Sequence, residues 1–216
     1  HTAYRRQRQM CIRDRLGGEQ PVLELPTDHP RPAIQQLAGA RCAIALDAAL
    51  VDNLKAVARE QGVTLFMLLL ASFQTLLQRH SGQSDIRVGV PIANRTRAET
   101  EKLIGFFVNT QVLKADFTGA GTFGQLLQQV KHTALQAQAH QELPFEQLVE
   151  ALQPQRSLSH SPLFQVMFNH QAEVKGTARQ LPGLSVEVLG ADSQSAQFDL
   201  TLNTVEHGAG LDLSLI

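Results

Sequence analysis

The sequence predicts an α/β fold: a two-layer sandwich of a mixed β-sheet with helices. Three observations carry this reading. The 216 residues are 43% apolar, enough for a substantial core. Segments with helical period and recognisable caps alternate with segments of period two. The strands outnumber the helices that could cross between them, so the sheet cannot be purely parallel.

The elements follow in order. Residues 1–15, HTAYRRQRQMCIRDR, hold five arginines and one aspartate and show no apolar period. They read as a non-native or disordered extension outside the fold. Residues 16–40 contain Pro26, Pro30 and Pro32 and no periodicity, which marks an extended connector. Residues 41–216 form the folded unit, whose final strand pattern, LDLSLI, is cut short. Asp47 is placed to cap a helix with Leu50, Leu54 and Val57 on its inward stripe, ended by Gly62. Thr64 caps a second helix that is apolar on nearly every side from Leu65 to Leu77, the pattern of a buried helix, with Gly82 closing it.

DIRVGVPIANR then alternates, with Ile86, Val88, Val90 and Ile92 on one face. Pro91 places the end of that strand at an edge or a bulge. The next strand runs through GFFVNTQVLKADF, with Phe106, Val108, Thr110 and Val112 on one face. Its other face mixes Phe107 and Leu113 with the amides Asn109 and Gln111. Buried amides need partners, so that face meets water or a polar ligand. Thr122 and Gln125 make a capping box for a helix with Leu126, Leu127, Val130, Ala134 and Ala137 inward. A short helix follows from Pro144. LFQVMFNHQ, LSVEVL, FDLTLNTVE and LDLSLI complete the strands.

Several function classes are excluded. A net charge of −1 with 18% charged residues argues against nucleic acid and against an anionic membrane. No apolar run approaches the roughly 18 residues that span a bilayer. Cys11 and Cys42 have neither metal spacing nor partners for a disulfide framework, which fits a reducing cytoplasm. The chain has no G-x-S-x-G, GxxxxGK[ST] or HExxH motif. No histidine spacing suggests a metal site. His140 and Glu142 could form an acid–base pair. They could equally serve the helix ends, His140 closing one helix while Glu142 and Glu146 face the positive end of the next. Such placement stabilises by about 0.3–1 kcal/mol per group.

Three segments in order, IGFFVNTQVLK (Ile104–Lys114), HQELPFEQLVEAL (His140–Leu152) and RSLSHSPLFQVMF (Arg156–Phe168), resemble the later motifs of condensation domains from non-ribosomal peptide synthetases. VGVPIANRTRAE and LELPTDHPRP upstream are similar too, so the resemblance covers Leu16 to the end. It implies a single chloramphenicol-acetyltransferase-like lobe, the C-terminal one of two that form a V. It also implies amide formation between aminoacyl or peptidyl thioesters carried on the phosphopantetheine arms of carrier domains, with no cofactor bound directly and no metal. The implied partners are the N-terminal lobe, the carrier domains and the adenylation domain of one synthetase.

The family's HHxxxDG motif is absent from this chain, so no catalytic residue is assigned and the chain alone is expected to be inactive. The family's usual RDxSRNPL is replaced here by Arg156–Leu163, RSLSHSPL, which puts its local salt bridges in doubt. Asn109 and Gln111 are the candidates for a polar tunnel wall, with a structural hydrogen bond as the alternative for Asn109. Arg95 could meet the arm's phosphate or pin its own loop through an ion pair. Gly105 could permit a close backbone approach. Two alternatives remain: a lobe that docks carriers without chemistry, and part of an epimerising or otherwise acyl-transferring member of the same superfamily.

Overall fold

A computed structural model describes residues 15–119, 121–172, 195–208 and 210–216. In chain order the elements are β1 (Cys42–Leu46), α1 (Ala48–Glu60), α2 (Leu65–Ser81), β2 (Asp85–Ile92), α3 (Ala98–Glu101), β3 (Asn109–Asp116), α4 (Phe123–Ala139), α5 (Phe145–Leu152), β4 (Val166–Gln171), β5 (Leu200–His207) and β6 (Gly210–Leu215). The described strands form one sheet in the order β1-β6-β5-β4-β2-β3. The β2–β4 and β4–β5 pairs are parallel; β1–β6, β5–β6 and β2–β3 are antiparallel. This is the mixed α/β sheet that the pattern of elements predicts. The extension, as far as residue 14, and LSVEVL (residues 184–189) lie outside the described residues.

The helices form where local chemistry directs them. The Asp47 side chain accepts the Leu50 N–H, and Thr64 accepts that of Met67. Thr122 and Gln125 form the reciprocal capping box. Gly82 ends α2 with φ of 69°, a left-handed conformation that suits glycine. One stripe is rotated from its expected position. In α1, Val51 and Ala58 are buried, while Leu50 and Val57 are exposed. The small Ala58 lets that side of the helix approach the sheet closely, and Leu54 packs beside it. In α4, Thr133 rather than Ala134 is among the buried residues.

Packing α1, α2 and α4 on one sheet face builds the main core, from Leu70, Leu77, Ile86, Val88, Leu127, Val166, Phe168 and Leu211 among others. The other face carries a smaller cluster at its β3–β2 end: Leu16, Val112, Leu148, Leu163 and Phe164, covered by α5. There Phe164 lies against Gly89. A Cβ on Gly89 would sit 2.3 Å from the Phe164 ring, so only glycine fits. Phe145 and Phe198 flank the Phe164 ring at centroid separations of 5.6 and 5.3 Å.

Two strand expectations change. β1 is hidden because CAIAL is only five residues long and three of them, Cys42, Ala43 and Ala45, are small. It pairs with β6 at the sheet edge. β3 begins at Asn109, later than its apolar alternation suggests. β2 ends at Ile92, which pairs with Asn109, so residues before Asn109 have no strand to bond. Ile104 is accordingly exposed, and Phe106 is 91% exposed. Pro91 is tolerated because β4 pairs with β2 only at Val88 and Gly89.

Residues 17–40 contain no helix or strand, only an isolated bridge from Ala38 to Ser195. Side chains of the folded unit satisfy the backbone of this segment. Gln83 accepts from the Glu24 N–H at 2.8 Å and donates to the Val22 carbonyl at 3.0 Å. Gln165 accepts from the Leu23 N–H at 2.7 Å. Arg31 makes a bidentate pair with Asp199, whose carboxylate raises the Arg31 pKa. Arg87, only 4% exposed, places all five of its N–H donors. Two go to the Asp85 carboxylate at 2.9 Å each, and the rest to the Glu19 carbonyl, the Leu16 carbonyl and the Gln20 side chain.

Burial pushes the Asp85 carboxyl up, but hydrogen bonds from Arg87 and Lys114 more than offset this and hold it below the ordinary value. Its contribution to stability is therefore fully present above the ordinary carboxylate value of about 3.9 and fades as pH falls through its own lower one. Replacing Arg87 by alanine leaves Asp85 half-buried with Lys114 alone and should cost about 3–5 kcal/mol in urea unfolding at pH 7. Arg31→Ala, at a more exposed pair, should cost under about 1 kcal/mol. Equal costs would contradict the anchoring role of Arg87. In acid, Asp85→Asn should flatten the loss of stability seen below about pH 4, measured by the same unfolding.

Candidate functional site

Each side chain expected to line a substrate passage has a partner within the fold. Asn109 and Gln111 share a face of β3 with Leu113, the face beneath α4. The Asn109 amide donates to the Gln141 and Leu143 carbonyls at 3.1 and 2.8 Å, and its oxygen accepts the Phe145 N–H at 3.1 Å. It thus holds the turn between α4 and α5. Gln111 donates to the Ala137 carbonyl in the last turn of α4 at 2.6 Å. Arg95 donates to the Thr100 carbonyl and lies 4.2 Å over the Phe107 ring. It pins its own loop, through a carbonyl and an aromatic face where an ion pair was expected. A Cβ on Gly105 would come within 3.1 Å of Phe107, consistent with a close approach.

His140 closes α4, its N–H reaching the Ala137 carbonyl at 3.1 Å while its own carbonyl accepts from Leu143. Pro144 is the N-cap of α5, one position earlier than expected, and Glu146 lies in the first turn. His140 thus stands at the end of α4 and Glu146 in the first turn of α5, the positions that the helix-end reading gives them.

A hydroxyl, an imidazole and a carboxylate do line up elsewhere. His170 Nδ1 lies 2.8 Å from Thr204 Oγ1, and its Nε2 lies 3.4 Å from Glu206, which also pairs with Lys55. The order matches a nucleophilic triad. Thr204 is fully buried beneath the helices, however, so no substrate could reach its oxygen. Burial keeps the His170 pKa low against the pull of Glu206, and its ring stacks on Phe168. This is a core polar network.

The opposite sheet face differs. Its β3–β2 end is covered by Leu16, α5 and Phe164, but toward β1 it presents short side chains in register. Asn169 on β4 aligns with Asn203 on β5, Asn203 with Ser214 on β6, and Ser214 with Ala43 on β1. Asn169 Nδ2 donates to Asn203 Oδ1 at 3.2 Å. A cavity of about 330 Å³ lies over the β5–β6–β1 part of this row, lined among others by Arg41, Ala43, Ala45, Asn203, Asp212 and Ser214. Sequence alternation places Asn203 opposite Leu202, but nothing in one strand shows that Asn169 and Ser214 stand beside it. Among the described residues no group of histidine, cysteine and carboxylate side chains could hold a metal. No single described helix is long and apolar enough to cross a membrane.

The profile of the Condensation domain family matches residues 13–216. The chain belongs to the condensation domain family. Over 199 residues it is 54% identical to a linear gramicidin synthase of Brevibacillus parabrevis, covering 91% of this chain and 3% of that protein. Its fold matches the X-domain from teicoplanin biosynthesis with a TM-score of 0.87 at 26% identity, over 97% of this chain and 48% of the other. A four-domain nonribosomal peptide synthetase bound to AMP and glycine matches with a TM-score of 0.84 at 26% identity, over 96% of this chain and 17% of the other. The chain thus spans about half of the matched X-domain and a small part of its synthetase relatives.

Asn109→Ala removes both donations to the α4–α5 turn and leaves the Phe145 N–H without its acceptor. We expect a loss of about 1–3 kcal/mol in denaturant unfolding. An unchanged midpoint would show that Asn109 does not hold this condensation-domain turn.

Proposed function

We propose that this lobe forms one wall of a chamber in which two carrier-bound substrates are joined by an amide bond. The amine of a downstream aminoacyl thioester attacks the carbonyl of an upstream aminoacyl or peptidyl thioester. The C–N bond forms, the C–S bond breaks, and the upstream arm leaves as a thiol after the amine loses a proton. The observation that carries this reading is the condensation-family match across residues 13–216, joined to a sheet that is helix-packed on one face and partly open on the other.

The lobe's contribution is orientation. Holding two arms end to end can supply on the order of 7–11 kcal/mol in the best intramolecular cases. The HHxxxDG residues are absent from this sequence, so proton transfer falls to the N-terminal lobe of the same domain. Asn109, Gln111 and Arg95 enter this reading as positioning residues, which fix the α4–α5 turn and the loop before β3 behind the chamber wall. The phosphopantetheine arms belong to the carrier domains, and with the adenylation domain these carriers are the lobe's partners in a cytoplasmic synthetase.

Residues 1–216 should form no amide from two loaded carrier proteins, whereas the domain that combines this lobe with an HHxxxDG-bearing lobe should. Mass spectrometry of the downstream carrier reads the product. Turnover by residues 1–216 alone would contradict the division of labour. Absence of turnover by the combined domain would favour a carrier-docking lobe without chemistry.

A further inference from the structure

The row across the open sheet face has unused hydrogen-bonding capacity. Within the Asn169–Asn203 pair, one N–H of Asn169 meets the oxygen of Asn203. Among the described residues, the Asn203 N–H groups and the Asn169 oxygen have no other hydrogen bond. Ser214 is only 7% exposed, lines the cavity, and its hydroxyl has no partner among the described residues either. Covering these groups with apolar surface would cost about 1–3 kcal/mol for each group left unsatisfied. Whatever fills the cavity must therefore bring both a donor and an acceptor. The three polar groups of the row are neutral, and the charged lining of the cavity is one arginine, Arg41, and one aspartate, Asp212, which offset each other, so the row itself suits a neutral polar group. The small Ala43 and Ala45 leave room for a slender chain beside the row.

We propose that Asn169, Asn203 and Ser214 recognise a neutral amide of the carried substrates. The ligand's carbonyl accepts from Asn203, its N–H donates to Asn169, and Ser214 completes the contact. This deepens the proposed function and rests on it. The shared chemistry has two sources, the amides of the pantetheine arm and the peptide bonds of an upstream peptidyl chain.

The test uses the whole condensation domain that contains this lobe. Donors are presented as thioesters of pantetheine, which carries amides, or of ethanethiol, which carries none. Each thiol bears either an aminoacyl or a dipeptidyl group. Asn203→Leu keeps the bulk and removes the donor. It should raise KM about tenfold for amide-bearing donors, the loss of about one hydrogen bond. It should leave kcat, and KM for the aminoacyl ethanethiol ester, within about twofold. A penalty that follows pantetheine assigns the arm, and one that follows the dipeptide assigns the peptide. Ser214→Ala, which alters volume little, should shift the same KM values in the same direction and carries the test if Asn203→Leu does not fold by thermal melting. Unchanged KM values for every donor, or an equal penalty on all of them, would overturn the proposal. Absence of amide formation by the unsubstituted domain would instead overturn the function on which it rests.

Discussion

Arg87 fastens the start of the connector to β2 at one buried point. Its guanidinium reaches Asp85 on its own strand and three acceptors at the start of the connector, so no N–H is left unsatisfied. A buried cation without such partners would be strongly destabilising. The consequence is geometric. With the connector held across the β3–β2 end, Leu16 joins Val112, Leu148 and Phe164 in the second cluster. Gly89, two residues from Arg87, gives the Phe164 ring its place. One end of this sheet face is thereby closed, and the free surface is confined to the strands on the β1 side.

The same sheet thus has two chemistries. The helix-covered face buries aliphatic and aromatic side chains, and most of its polar groups serve one another: Asn109 with the α4–α5 turn, Gln111 with α4, and His170 with Thr204, while the buried Gln74 Oε1 has no partner among the described residues. The partly open face keeps short polar side chains with bonding capacity to offer. That contrast separates residues whose bonding capacity is used inside the condensation-domain lobe from residues that keep capacity on the open face, although both groups include asparagines on strands.

What was legible in the sequence follows from how local each cause is. Asp47, Thr64, Gly82 and the Thr122–Gln125 box act within a few residues, and each stands where the pattern places it. The helical turn at HQELPFEQLVEAL was equally readable. The purpose of Asn109 was not, because its partners lie 32 to 36 residues away. The register of Asn169, Asn203 and Ser214 spans three strands, and a single strand shows only which residues share a face. β3 started late for a similar reason: strand length depends on where the partner ends, and β2 ends at Ile92.

The central claim is that substrates meet the open face of this sheet and not the face beneath the helices. Photocrosslinking tests it most directly, with a carrier whose pantetheine arm bears a diazirine and the intact condensation domain as target. Peptide mapping should place the adducts on β4, β5 and β6 around Asn169, Asn203 and Ser214. Adducts on β3 at Asn109 and Gln111, or none within this lobe, would contradict the account.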